Sequence, residues 1–388
     1  MIAMDRLKKK LRIYSHYLAN HFFKKSNRVM ICAPSNIEAN CIEVANFLAA
    51  NYKMPVALGL PTASTKYAKL MVSPEVEVVD VHSIRFKLLY FKSKYIFAAY
   101  PKFPRFYTKK QRFLNMGHGV PLKKVGLTRG ARGIPADFTL ATSELTKKAF
   151  VAATGVSPES IIIAGYPRND LLIREKARKS ELKARLKGNL AQFDKIIIWL
   201  PTFRTDTKAG HGVNGVPADN AFQIEGFDVQ AFNALLAKYN VCCIVKPHPL
   251  DVKRSDDLTH SNIRIIDDEW MFRQGITLYH LTACSDILVS DISSIILDYL
   301  LLDQPVLCFS TDFDEYKAGR GYMFDDLESW LPGKLLRNQD QFTEYLEGIL
   351  KTGQDPWEEK RKEMKKAFFA YDDADSSKRM LEHVFSSK

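Results

Sequence analysis

The chain has 388 residues, of which 46% are hydrophobic and 26% charged, with a formal net charge of +12. Those values suit a soluble globular protein too long for one ordinary core, so two domains of roughly 150–200 residues are expected. The positive charge favours anionic partners (phosphorylated metabolites, nucleic acid or an acidic membrane surface) without choosing among them, while the lack of any run of about 18 apolar residues excludes a membrane-spanning helix.

The opening segment, MIAMDRLKKKLRIYSHYLANHFFKK, is broken by polar residues and fails as a signal peptide. It reads as a basic amphipathic helix with Leu7, Leu11, Tyr14, Leu18 and Phe22 at helical spacing and Lys8, Lys9, Lys10, Arg12, Lys24 and Lys25 around them. Two readings stand: a helix lying on anionic lipid, or a solvated helix packed by one face on its domain.

Short apolar runs then alternate with helical patterns. RVMICAP (28–34), PVALGL, VEVVDV, KYIFAAY (94–100), DFTLAT (137–142) and SIIIAGYP (160–167) read as strands, with a helix in IEANCIEVANFLAANY. A charged stretch over 174–195 forms a helix and connector. The pattern then restarts with IIIWLP (196–201), VCCIVKP (241–247), IRII (263–266), DILVSD (286–291) and PVLCFS (305–310), and ends in a charged helical tail. Strands alternating with helices imply parallel sheets of βαβ units. The division is a first domain over 1–175, a second over 190–365 and a helical tail over 366–388, with no internal repeat.

Six cysteines lie at Cys32, Cys41, Cys242, Cys243, Cys284 and Cys308. None forms a CxxC pair, and the adjacent Cys242 and Cys243 point to opposite faces of a strand. They read as small core residues, neither zinc ligands nor a disulfide framework.

Ligands of open parallel sheets bind beyond the carboxyl ends of the strands. IIIWLP runs into Thr202, Phe203 and Arg204; CCIVKP carries Lys246 and runs into His248 and Pro249; DILVSD ends in Asp291 and runs through Ile292 into Ser293 and Ser294. Two serines opening a helix offer hydroxyls and free N–H groups to an anion, or simply cap the helix through Ser293. Arg204 suits bidentate phosphate contact, and His248 sits on stiff backbone between prolines. Together they predict a phosphate site.

In the first half, NMGHGVPLKK (115–124) sets His118 between glycines, where backbone can approach a ligand closely. Pro121 stiffens the exit, and Lys123 and Lys124 suit a helix start facing an anion. A plain turn with a surface histidine is the other reading.

These segments resemble the CDP-glycerol glycerophosphotransferases of teichoic acid and capsule synthesis. NMGHGVPLKKVG is similar to their HGxPLK signature, IAGYPRNDLL (163–172) to GYPRND, and WLPTFR to their PTFR strand end. KPHP (246–249), SDILVSDISSIILDYLLLDQPV and FDEYKAGRGYMFD (313–325) follow in the family's order. The chain departs from the family at Ile292, where tyrosine is usual, and at Met116-Gly117, where tryptophan often precedes the histidine.

The resemblance implies a GT-B-type α/β fold, two Rossmann-like parallel-sheet domains facing a cleft, with the donor nucleotide on the C-terminal domain. It implies transfer of a polyol phosphate from CDP-glycerol or CDP-ribitol to a hydroxyl of a lipid-linked glycan, with release of CMP, by a peripheral enzyme on the cytoplasmic face of the cell membrane. In that setting His118 is the general base, and Lys123 adds positive potential. Arg204, His248, Ser293 and Ser294 hold the diphosphate, with His248 stabilising or protonating the leaving phosphate, while Lys246 and Asp291 are further substrate-binding residues. Glu315, Arg320 and Asp325 serve the nucleotide or polyol end, or form a charged surface loop. Arg168 and Asp170 are structural, Asp170 as a cap.

No cofactor is expected beyond the substrate. Diphosphates carry Mg²⁺, but no carboxylate cluster demands it, so neutralisation by the protein's own cations is expected. Two rivals remain. A GT-B sugar transferase lacks support in the absence of a GxGG-like loop. A nucleic-acid binder lacks it because the excess charge is concentrated in the N-terminal helix and over 174–187. Glycerol or ribitol, one unit or a polymer, and monomer or homo-oligomer stay open, with the short N-terminal region favouring single-unit addition.

Overall fold

The computed structural model of the chain describes residues 14–99, 107–129, 136–186, 190–202, 205–206, 212–213, 220–248, 260–319 and 321–387. In the first domain these comprise β1 (Ser26–Cys32), β2 (Val56–Leu60), β3 (Glu77–Asp80), β4 (Ser93–Ala98), β5 (Arg112–Asn115), β6 (Phe138–Ala141) and β7 (Ile161–Ile163). They make one parallel sheet in the order β3-β2-β1-β4-β5-β6-β7.

The second domain starts with β8 (Lys195–Leu200). A small antiparallel ribbon follows, β9 (Thr205–Asp206) and β10 (Gly212–Val213), then β11 (Val241–Val245), β12 (Ile263–Ile265), β13 (Ile287–Ser290), β14 (Val306–Phe309) and β15 (Leu335–Leu336). Its parallel sheet runs β12-β11-β8-β13-β14-β15. Each sheet starts centrally, grows outward to one side, then reverses and grows to the other. This is the Rossmann-like pattern, and the reversals between β1 and β4 and between β8 and β13 open a crevice at each sheet's carboxyl edge.

Helices cover both faces of each sheet, so its central strands are apolar throughout; β8 reads KIIIWL and β11 VCCIV, almost wholly buried. Cys242 belongs to the core between the two domains, and Cys243 to the core on the far face of the second sheet. The alternation expected of that pair therefore holds, and all six cysteines are buried and free. Every expected strand is present. β5, β9, β10 and β15, of four, two, two and two residues, add to them.

Helix Pro167–Ala177 and helix Lys179–Arg185 connect the domains. The first packs both on helix Ala39–Asn51 of its own domain and on helix Leu278–Cys284 of the other. The tail does not trail away. Helix Glu358–Phe368 straddles the two domains, and helix Ser376–Ser386 lies on the first, with Phe385 against Tyr52 and Tyr95. Asp170 does cap a helix, though not its own. Its carboxylate oxygens accept from the backbone N–H groups of Ser376 and Ser377, each at 2.8 Å, 206 and 207 residues away.

Residues 14–22 are helical; the remainder of the proposed basic helix, including Leu7, Leu11 and Lys8–Arg12, lies outside the described residues. Ala19 and Phe23 pack on the first domain, and the Lys25 ammonium caps the helix end on the Asn20 carbonyl while reaching the Phe91 carbonyl. The Tyr14–Leu18–Phe22 stripe faces water, with Phe22 85% exposed. Among the described residues no helix is long and apolar enough to cross a membrane.

Replacing Asp170 with alanine strips two N–H groups at a buried helix start of their acceptor. The expected loss is about 2–4 kcal/mol in urea unfolding, with the tail cleaved by protease before the domains. A loss below about 0.5 kcal/mol would mean that apolar contacts alone hold the tail.

Candidate functional site

The loop after β5 carries His118 to the domain boundary. Gly117 (φ +72°) and Gly119 (φ +120°) hold backbone that a side chain strains, and the Asn115 side chain accepts from the Gly117 N–H at 3.0 Å. The sequence suggests that these glycines make room for a ligand. At Gly119 that room is taken by Ser294 of the other domain and by Arg168, since a Cβ there would lie 2.5 Å from Ser294 Oγ and 3.0 Å from Arg168 Nη2.

Lys123 and Lys124 do not open a helix. They lie on an extended segment that pairs across the domain boundary, with Lys123 bridged to Tyr322, Lys124 N–H on the Gly321 carbonyl and Met323 N–H on the Leu122 carbonyl. This places the Lys123 ammonium 4.9 Å from the Tyr316 ring centroid and 3.4 Å from Thr202 Oγ1.

Thr202 and Asp291 flank the second sheet's reversal point, after β8 and β13 respectively. The Asp291 carboxylate accepts from the Thr202 N–H at 3.1 Å and from its hydroxyl, so it ties the two strand ends together. Ser294 sits at the cap position of helix Ile295–Asp298 without making a side-chain capping bond, and the Ser293 N–H is turned back onto the Asp291 carbonyl. The alternative of simple capping by Ser293 is thus not what the loop does.

Beyond β11, Lys246 is 8% exposed and paired to Asp268 at 2.8 Å. Asp268 also accepts from Asn36 of the first domain at 2.8 Å. His248 follows, its imidazole lowered to about 4 by desolvation, then by Lys246 and Lys123, against the pull of Asp268. Desolvation likewise comes first in lowering His118 to about 4, with Arg168 and His248 adding to it. The His118 side chain still keeps 60% of its surface open to water. Solvent in the open cleft tempers that depression, but its direction leaves a neutral imidazole at pH 7.

Beneath His118 lies a buried charged cluster. The Arg168 guanidinium reaches Asp298 of the second domain at 2.7 Å and Glu38 at 3.9 Å, between the rings of Tyr166 and Tyr279. Tyr279 donates its hydroxyl to Asp298. Glu38 follows β1, caps helix Ala39–Asn51 through the Asn40 N–H, and stands 4.0 Å from His118 Nδ1. Burial pushes its carboxyl up, opposed by Arg168.

The structure thus gathers His118, Lys123, Lys246, His248, Asp291, Ser293 and Ser294 at the meeting of the domains. Arg204 and Arg320 lie outside the described residues. Glu315 and Asp325 are exposed on the segment whose Tyr316 and Tyr322 meet Lys123. Sequence alone names Thr202 only as a strand-end residue, does not single out Glu38 and Asp298, and marks Arg168 only as structural. The position of Glu38 after β1 is a usable signal, but the sheet order that makes β1 a switch-point strand is not written locally. Among the described residues no group of three or more His, Cys, Asp or Glu side chains is placed to hold a metal ion.

Residues 15–386 match the family described as CDP-glycerol:poly(glycerophosphate) glycerophosphotransferase. The chain is 28% identical over 324 residues to the teichoic acid ribitol-phosphate polymerase TarL of Staphylococcus aureus, covering 78% of this chain and 54% of that protein. It is also 28% identical over 295 residues to the teichoic acid glycerol-phosphate transferase of the same organism, covering 70% and 71%. The chain therefore spans about half the length of the first of these relatives. Its fold is shared with the wall teichoic acid polymerase TagF, at a TM-score of 0.76 and 18% identity over 98% of this chain and 97% of that one.

In an NMR titration, His118 and His248 should have midpoints well below the ordinary histidine value of about 6.5. Inorganic pyrophosphate should raise both, because an anion nearby favours the imidazolium. Midpoints near the ordinary value, or unmoved by pyrophosphate, would contradict this view of the cleft.

Proposed function

The chain belongs to the CDP-glycerol:poly(glycerophosphate) glycerophosphotransferase family, and from that premise we propose that it moves glycerol phosphate from CDP-glycerol to a hydroxyl of a lipid-linked glycan, releasing CMP, in the synthesis of a teichoic acid or capsule-type surface polymer. One observation carries this reading. A solvent-accessible imidazole, His118, stands on the first domain directly opposite the second domain's switch-point loops, where burial lowers its pKa.

The reaction needs a base on the acceptor hydroxyl and positive charge around a diphosphate. Positioning and charge neutralisation dominate such transfers. His118 takes the acceptor proton as the oxygen attacks the phosphorus bearing glycerol. Lys123, Lys246, Ser293 and Ser294 hold the diphosphate, joined in this proposal by Arg204. His248, neutral at pH 7, supports the departing CMP phosphate through a ring N–H. The bound dianion itself raises the His118 pKa and so strengthens the base where it is needed.

Equal identity to a ribitol-phosphate polymerase and a glycerol-phosphate transferase, 28% in each case, supports CDP-ribitol as the second reading. Separate incubations with CDP-glycerol, CDP-ribitol and UDP-sugars on a lipid-linked acceptor distinguish them by which donor loses its nucleotide. CMP from CDP-glycerol is expected, with His118→Ala lowering turnover about 10²–10⁴-fold while donor binding stays near normal. UDP release, or a His118→Ala enzyme close to wild type, would overturn the assignment.

The same reading places the enzyme at the cytoplasmic face of the membrane. The exposed Tyr14–Leu18–Phe22 stripe, beside Lys24, Lys94 and Lys110, suits an interface in which apolar side chains enter and lysines meet anionic headgroups. Sedimentation with phosphatidylglycerol vesicles should exceed that with phosphatidylcholine, weaken with salt, and fall about tenfold or more in Phe22→Glu. Equal binding to both vesicles would remove this placement.

A further inference from the structure

We propose that Glu38 is the positioning residue of this site: its carboxylate, braced by Arg168 and Asp298, turns Nδ1 of His118 into the protonated nitrogen and makes Nε2 the one that takes the acceptor's proton. The role in turnover rests on the phosphotransfer reading above; the effect on the imidazole does not.

An imidazole acts as a base at one nitrogen, and the partner of the other decides which one. Glu38 Oε1 lies 4.0 Å from His118 Nδ1, a gap that a small side-chain rotation closes to a hydrogen bond. Catalytic contacts are often long in the unliganded state and tighten on binding. Glu38 itself has little freedom. Its other oxygen accepts from the Asn40 N–H at 2.8 Å, which fixes it at the start of helix Ala39–Asn51. On its inner side the Arg168 guanidinium stands 3.9 Å away, and that guanidinium is anchored to Asp298 at 2.7 Å in a buried pair. The carboxylate is thus held between an immobile cation behind it and the imidazole in front.

The charges around His118 call for such a partner. Arg168 and His248 both disfavour the imidazolium, and the neighbouring Ser294 carries no charge. Glu38 brings a carboxylate to the ring itself, whereas Asp298 is engaged by Arg168. In the transfer step the acceptor O–H proton passes to Nε2. The electron pair left on oxygen forms the new bond to phosphorus, and the bond from that phosphorus to the CMP oxygen breaks with its pair leaving on CMP. The imidazolium formed in that instant carries a positive charge that Glu38 compensates, and its proton then passes to solvent. This is the third-group logic by which a base is oriented and stabilised without the third group being protonated.

The test has two arms. In the resting enzyme at pH 7.5, ¹⁵N-labelled histidine with His118→Asn for assignment should show His118 protonated at Nδ1. In Glu38→Ala the signal should move to the Nε2–H form that isolated histidine favours. Glu38→Gln keeps an acceptor for Asn40 and guards against a folding defect. It should lower kcat about 10- to 100-fold with donor KM within roughly threefold, and move the acid limb of the kcat profile to lower pH. Glu38→Asp should recover part of the rate. A wild-type His118 already in the Nε2–H form, or a Glu38→Gln enzyme with unchanged kcat and pH profile, would overturn the proposal. The nitrogen spectrum uses no substrate, so it tests Glu38 independently of whether CDP-glycerol is the donor.

Discussion

The buried ion pair between Arg168 and Asp298 is the contact on which the site's geometry rests. It joins the two domains directly, since Arg168 lies on the helix after β7 and Asp298 on the helix after β13. Both side chains are almost wholly withdrawn from water, and removing either partner strands a charge in the interior at a cost of about 3–5 kcal/mol. The rings of Tyr166 and Tyr279 flank the guanidinium at 4.7 and 5.2 Å. Everything nearby is registered against it, from Glu38 on one side to the backbone at Gly119 and the Ser294 hydroxyl on the other. The pair contributes more to specifying how the domains meet than to their stability, because the desolvation of two charges offsets most of their attraction.

Around that anchor the cleft gathers lysines and imidazoles from both domains. Lys246 shares its charge with Asp268, while Lys123 is shared between a ring and a hydroxyl, and burial and neighbouring cations disfavour the charged form of both imidazoles. A dianionic diphosphate relieves the repulsion among the cations and raises both imidazoles together, so binding and activation of the base are coupled by ordinary electrostatics. Helix Ser376–Ser386 adds a mechanical constraint, because its start is capped by a side chain from the inter-domain helix Pro167–Ala177. The tail and the cleft therefore share a structural element.

Much of this is legible in residue order. The apolar runs mark the strands, their alternation with helical patterns the parallel sheets, and the polar residues after each run the loops where a ligand would sit. His118, Lys246, His248, Asp291 and the two serines are all found that way, and they do converge. Arg168, Glu38 and Asp298 escape such a reading because nothing local distinguishes them. An arginine in a helix's first turn, a glutamate before a helix and an aspartate inside one each have an ordinary local explanation. The caps show the same limit, as Asp170 has the composition of a cap for its own helix and serves one more than two hundred residues away.

By itself the sequence determined the secondary structure, the two-domain plan and the residue types at the strand ends, because these follow from periodicity and from which side chains tolerate water. It also determined family membership, through ordered motifs that no single segment could establish. Strand order, and with it the position of the two reversal points, was decided only by the tertiary structure. The same holds for the close approach of Gly119 to Ser294 and for the choice of Asp298 as the partner of Arg168. Those two contacts join residues more than a hundred positions apart, and the reversals pair strands from distant parts of the chain. They depend on how two apolar surfaces dock, and a local pattern carries no record of that.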